Sequence, residues 1–277
     1  MTIGSRADRP LVMGILNVTP DSFSDGGPHI DLDVAVARAD AMLNEGADVV
    51  DVGGESTRPG ADPVSVDVEL SRVLPVIEAI ADRCVVSVDT RHAAVARVAV
   101  DAGAVIINDV SASLAEVAAD VGAGWIAMHM RGVPKTMQTD PVYESVVEDV
   151  LRFLVGRADQ ARAVGVEQIW IDPGLGFGKT HEHNLELLAS IDRFVATGHP
   201  VVVGVSRKGT LGRLLAVSDG VDAVGPDDRL EGSVAAACHV VRAGAHMVRV
   251  HDVGPTVSAL AVIGAETAAE QARGDHR

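Results

Sequence analysis

Aromatic rings, thiols, positive charges and long apolar runs are all scarce in this chain. Of its 277 residues, two are tryptophan, one is tyrosine and four are phenylalanine. A core built from such a chain must be aliphatic. Few rings remain to stack on a flat ligand, so another planar group would have to do so. The two cysteines, Cys84 and Cys238, have no metal-ligand spacing and form no disulfide framework, which predicts free thiols in a reducing compartment. No apolar run approaches the ~20 residues of a membrane helix. The opening MTIGSRADRP lacks the apolar core of a secretory leader, and together these features predict a cytoplasmic protein. Lysine and arginine total 23 against 39 acidic residues, a formal net charge of −16. That balance disfavours nucleic acid or an anionic membrane as a general partner. A small anionic substrate would need a local cluster of cations inside an acidic shell.

What is abundant is aliphatic: hydrophobic residues make up 47% of the chain. Short β-branched runs alternate with Ala-rich amphipathic stretches. The runs are LVMGIL (11–16), DVVDV (48–52), CVVSVD (84–89), AVIIND (104–109), WIAMHM (125–130), QIWID (168–172), PVVVGVS (200–206) and HMVRVH (246–251). Near-continuous Val/Ile runs imply strands buried on both faces, hence a parallel sheet. Helical patterns lie between them, several ending at a glycine suited to a C-cap: Gly46, Gly103, Gly165 and Gly244. Eight such units in one chain predict a single-domain α/β protein with the (β/α)8 barrel fold. An open doubly wound sheet is the alternative, but its glycine-rich turn after the first strand is absent. The predicted boundaries are a flexible segment at 1–10, the barrel at 11–265 and a flexible tail at 266–277.

Polar residues sit at the C-terminal end of nearly every predicted strand: Asn17, Glu55 to Arg58, Asp89, Asn108, His129, Asp172, Ser206 to Lys208 and Arg249 to His251. In a barrel these ends converge on one face, where active sites lie. Capping of the following helix accounts for an Asp or Asn taken singly. It does not account for Arg and Lys at the same level. Short acceptors at Asp89, Asn108 and Asp172 suit the hydrogen-bonding edge of a heteroaromatic ring. Arg58, Lys208, Arg249 and His251 supply the cation cluster, and the loops after the last two strands of a barrel are a frequent phosphate site. Arg249 could instead lay its plane on a ring. The segments 17–27 and 55–63 are polar, Gly- and Pro-bearing loops of the kind that close over substrates. IDPGLGFGKT (171–180) does not fit a P-loop and reads as a sharp strand-end turn presenting Phe177 and Lys179. Lone arginines such as Arg72 and Arg97 read as surface ion pairs.

Taken together, MGILNVTPDSFSDGG (13–27), DVGGESTRPGA (51–61), SVDT (87–90), NDVSA (108–112), DPGLGFGKT (172–180), VGVSRKG (203–209) and VRVHDV (248–253) resemble the dihydropteroate synthase family. The resemblance spans about residues 11 to 263. It implies a transferase of folate synthesis, the target of sulfonamides. Such enzymes join 6-hydroxymethyl-7,8-dihydropterin diphosphate to 4-aminobenzoate with release of diphosphate, assisted by Mg2+. Carried onto this chain, it implies that Asp89, Asn108 and Asp172 bind the pterin edge, that Lys208 donates to its carbonyl and that Arg249 stacks on its ring. Thr57, Arg58, Arg249 and His251 would hold the diphosphate, and Asn17 would ligate Mg2+. Phe23, Pro59, Phe177 and Ser206 would form the aminobenzoate pocket. The family implies a homodimer. One departure stands out: where the family commonly carries an aromatic two residues beyond the Ser-Arg-Lys run, this chain has Gly209 and Thr210. That implies a looser aminobenzoate side. Two rivals share the deep pocket, a non-catalytic pterin-binding paralogue and a methyltransferase barrel acting on a reduced folate.

Overall fold

The computed structural model describes residues 9–19, 31–58 and 60–274, with side chains through residue 264. Eight strands follow one another as β1 (Leu11–Asn17), β2 (Val49–Gly53), β3 (Val85–Asp89), β4 (Ile106–Asp109), β5 (Gly124–Met128), β6 (Ile169–Asp172), β7 (Val202–Gly204) and β8 (Met247–Val250). The helices among the described residues are α1 (Leu32–Asn44), α2 (Val66–Ile80), α3 (Ala93–Asp101), α4 (Ala115–Val121), α5 (Val146–Ala163), α6 (His181–Ala189), α7 (Ile191–Val195), α8 (Gly209–Asp219), α9 (Leu230–Arg242) and α10 (Val253–Gly274). All the strand pairs are parallel, in the order β6-β5-β4-β3-β2-β1-β8-β7. A parallel bridge between Ile171 and Val201 joins the two ends, so the sheet closes and the open-sheet alternative falls.

Local sequence sets the element ends. Asp31 accepts from the backbone N–H groups of Asp33 and Val34, and Ser65 from that of Val68, which starts α1 and α2. Thr180 and His183 form a reciprocal capping box at α6. Gly46, Gly103, Gly165 and Gly244 all take positive φ, as expected of residues that end helices and turn the chain toward a strand. Helix α10 continues to Gly274, past the boundary drawn at 265 from sequence. Its ETAAEQAR stretch has no proline and no glycine to stop it.

Alternation along each strand separates two cores. Val12, Val50, Val52, Val86, Val88, Ile107, Ile171 and Val248 point outward and pack beneath the helices. Leu11, Met13, Val49, Ile106, Ile126, Trp170, Val202 and Met247 fill the interior at its lower end. Burying each such side chain contributes about 1.5–3 kcal/mol. The same alternation then carries Asn17, Asp51, Asp89, Asn108, Asp172 and Arg249 inward, two or four residues above this apolar plug.

Candidate active site

Parallel register lines up the first polar tier. Asn17 pairs with Gly53, Gly53 with Asp89, and Asp89 with Asn108, so four consecutive strands contribute one row. One step deeper, Ile15, Asp51, Ser87 and Ile106 form the next row. On the far wall Asp172 ends β6, and Arg249 stands beside Gly204. A Cβ on Gly204 would lie 3.9 Å from Asp172 Oδ2, so Asp172 and Arg249 look into the same interior.

Arg249 bridges two carboxylates. Its Nε donates to Asp51 Oδ2 at 2.6 Å and its terminal nitrogen to Asp89 Oδ2 at 2.7 Å. Burial works against the guanidinium charge, but Asp51 and Asp89 outweigh it and hold the group protonated. Burial raises Asp89 to about 7; Arg249 opposes the shift, while the nearby Asp51 adds to it. Burial also raises Asp172, against the pull of the Gly174 N–H that its Oδ1 accepts at 2.7 Å. Lys208 is drawn down by burial to about 8, although Asp172 favours its ammonium. Its Nζ sits 4.5 Å from the centre of the Phe177 ring.

His251 enters the cluster uncharged. Burial and the neighbouring Arg249 lower it to about 3, which corrects its reading as a cation. The Ser206 Oγ accepts the His251 backbone N–H at 3.2 Å and lies 3.0 Å from His251 Nδ1. A hydroxyl that accepts there has its own proton free for Nδ1, which leaves the ring N–H on Nε2.

The 55–64 loop is tied at both ends. Glu55 takes a fork of two bonds from Arg91, at 2.8 and 3.0 Å, and accepts the Val64 N–H at 3.2 Å. Burial opposes the Glu55 charge, yet Arg91 and Val64 hold its pKa below the usual range. Arg72 donates to the Gly54 carbonyl at 2.7 Å, which corrects its reading as a surface ion pair, while Arg97 does pair with Asp120 at 2.8 Å. Within this frame Thr57 is half-buried, and Arg58 is exposed with no ion-pair partner among the described residues. Phe23 and Pro59 lie outside the described residues.

Two further corrections concern residues that sequence misread or missed. Lys179 is not presented to ligand: it is 2% exposed and donates to the carbonyls of His129, Gly174 and Phe177. Its companion glycines explain the tightness. A Cβ on Gly174 would lie 2.0 Å from the His129 carbonyl oxygen, and one on Gly178 2.2 Å from that of Arg131. Asp51 was missed altogether, although an aspartate inside a valine run, two positions before Gly53, already places it on the inward face. The two cysteines are free and half-buried.

A cation could sit in one of two places. Glu55, Glu69 and His92 have metal-like spacing. Their ligand atoms are already engaged, Glu55 by the Arg91 fork and Glu69 Oε2 by His92 Nδ1 at 2.6 Å, so they do not fit. Near the rim, a Cβ on Gly53 would fall 3.5 Å from Asn17 Oδ1 and 3.7 Å from Asp89 Oδ2. The missing side chain leaves a cradle beside a neutral amide oxygen. Such a sparse donor set fits Mg2+, which keeps several waters and takes other ligands from substrate phosphates.

Comparison with known proteins decides among the barrel enzymes that could carry such a rim. The family described as pterin binding enzyme matches residues 13–251. The dihydropteroate synthase of Escherichia coli (strain K12) is 48% identical over 270 residues, covering 95% of this chain and 93% of that protein. This chain belongs to the dihydropteroate synthase family. Solved dihydropteroate synthases share its fold. The Yersinia pestis enzyme in a sulfonamide drug complex superimposes with a TM-score of 0.88 at 44% identity, covering 97% of this chain and all (100%) of that one. The Xanthomonas albilineans dihydropteroate synthase with 4-aminobenzoic acid gives 0.86 at 46% identity, covering 95% and 94%. Membership in the dihydropteroate synthase family sets aside the methyltransferase rival.

Proposed function

We infer that this chain condenses 6-hydroxymethyl-7,8-dihydropterin diphosphate with 4-aminobenzoate, giving 7,8-dihydropteroate and diphosphate, and that sulfonamides compete for its second substrate. One observation carries the reading: inward acceptors at Asp89, Asn108 and Asp172 share an interior with Arg249 and Lys208. Acceptors on three different strands suit the donor-rich edge of an aminopyrimidinone, while Lys208 faces its carbonyl. Arg249, held flat by two carboxylates, offers the plane that the scarce aromatics cannot. Thr57, Arg58, Arg249 and the Nε2–H of His251 hold the diphosphate, and Phe177 and Ser206 line the aminobenzoate side with Phe23 and Pro59.

In the reaction, the bond from the pterin methylene carbon to oxygen breaks and its electron pair leaves with the diphosphate. The aniline nitrogen then forms the C–N bond and loses a proton to solvent. Asp89 stabilises positive charge on the pterin, and Arg58 and Arg249 stabilise the leaving group. Asn17 would hold Mg2+, which when bound neutralises diphosphate charge. An aniline needs no strong general base. We further propose a cytoplasmic homodimer; sedimentation as a dimer supports it, and as a monomer contradicts it.

Two substitutions separate recognition from leaving-group stabilisation. Asp172→Ala leaves ring donors unpaired and is expected to weaken pterin binding at least about 100-fold by calorimetry. Arg58→Ala is expected to keep that affinity and slow turnover about 10-fold or more. Normal turnover in Arg58→Ala contradicts the assigned role of the second loop.

A further inference from the structure

We propose that Asp51, beneath the rim, is a positioning residue that fixes which way the Asn108 amide and the Arg249 guanidinium face, and so sets the hydrogen-bonding polarity of the pterin site. Asp51 is fully buried, at 0% exposure. Its Oδ2 accepts from two donors at once, Arg249 Nε at 2.6 Å and Asn108 Nδ2 at 3.0 Å. Because that oxygen accepts from Asn108 Nδ2, it turns the Asn108 NH2 down toward itself and leaves Asn108 Oδ1 for the ligand side. Without Asp51 the amide is free to flip, and half of its orientations would offer the ligand a donor where a donor already stands.

The same oxygen works on Arg249. Asp51 and Asp89 lie on neighbouring strands two residues apart in register, since Asp51 pairs with Ser87 and Gly53 with Asp89. Two carboxylates at different depths grip two nitrogens of one guanidinium, which fixes its plane as well as its place. Thus one deep side chain orients both an edge reader and a stacking group. Apolar Val49 lies beneath Asp51 and Ile106 stands in its own row, so the carboxylate sits against the apolar plug, where its bonds to the two donors are strengthened.

This rests on the pterin reading above, and a polarity swap tests it. Binding of 6-hydroxymethylpterin is measured by calorimetry on the full chain, with thermal melts as a check on folding. Asp51→Asn frees the amide at 108 and is expected to weaken binding about 10-fold or more. Asn108→Asp sets two buried carboxylates about 3 Å apart and is expected to weaken it at least as much. The double variant Asp51→Asn/Asn108→Asp restores a donor at 51, an acceptor-only group at 108 and the original net charge. It is expected to bind within about 5-fold of the unmodified protein. A purely space-filling role predicts no such recovery. Wild-type-like binding by Asp51→Asn, or a double variant that unfolds or binds no better than the weaker single variant, overturns the proposal. Failure of the unmodified protein to bind the pterin would instead overturn the functional reading on which it rests.

Discussion

Asp89 carries a pH signature that can be tested at the rim. Its carboxyl is raised to about 7 by burial and by Asp51, against the pull of Arg249. A group whose pKa is raised on folding contributes stability that is present below its unfolded value and is lost as pH rises through the folded one. The window runs from the ordinary value of 3.8 to about 7. Melting temperatures compared between the unmodified protein and Asp89→Asn should therefore diverge across it, with the unmodified protein losing ground as pH rises. A difference that stays flat from pH 4 to 7 contradicts this assignment. Lys179 illustrates the opposite case, a charged side chain spent on the scaffold. Its three carbonyl partners hold the β6 loop against the end of β5, and nothing in the FGKT spelling distinguishes that use from ligand binding.

Strands were readable because their chemistry is simple. Each of the eight β-branched runs coincides with a strand, and period two then decides which neighbours face inward. Asn108 and Asp109 show this best. Asn108 turns into the interior, while Asp109 turns outward, accepts from the backbone of Ser113 and Leu114 at the start of α4, and takes the Trp125 indole N–H. Capping thus accounts for Asp109, while Asn108 faces the interior. Contacts between elements were not readable in the same way, because they depend on which side chains meet across loops. The Glu55–Arg91 fork joins the second loop to the end of β3 across 36 positions of sequence. At the β7 turn, Arg207 adopts φ of +57°, and its forked bonds to Asp252, at 2.8 and 3.1 Å, offset the roughly 1–2 kcal/mol this costs a non-glycine residue. The turn sets Ser206 and Lys208 on either side of it. Glu55→Gln should release the second loop, raising KM for the diphosphate substrate about 5-fold or more with a smaller change in kcat and little change in melting temperature. Arg91→Lys, which retains charge without the fork, should fall between the two. Unchanged KM in Glu55→Gln contradicts the anchoring role.

The barrel reconciles an acidic protein with an anionic substrate. A formal charge of −16 is spread over the chain, yet Arg58, Lys208 and Arg249 come from three separate loops or strands to one end. Closure of the sheet brings them together, and the composition gives no hint of it. The apolar plug of Met13, Val49, Ile126 and Trp170 below and the polar tier above divide the interior, which supports the proposed division between recognition on the floor and phosphate chemistry at the open rim. That division is the central claim, and it separates a working enzyme from a paralogue that only binds. Diphosphate release from the pterin diphosphate, followed with and without 4-aminobenzoate in the presence of Mg2+, tests it most directly. The account expects release that depends on the amine and yields one 7,8-dihydropteroate per diphosphate; tight pterin binding with no amine-dependent release would contradict it.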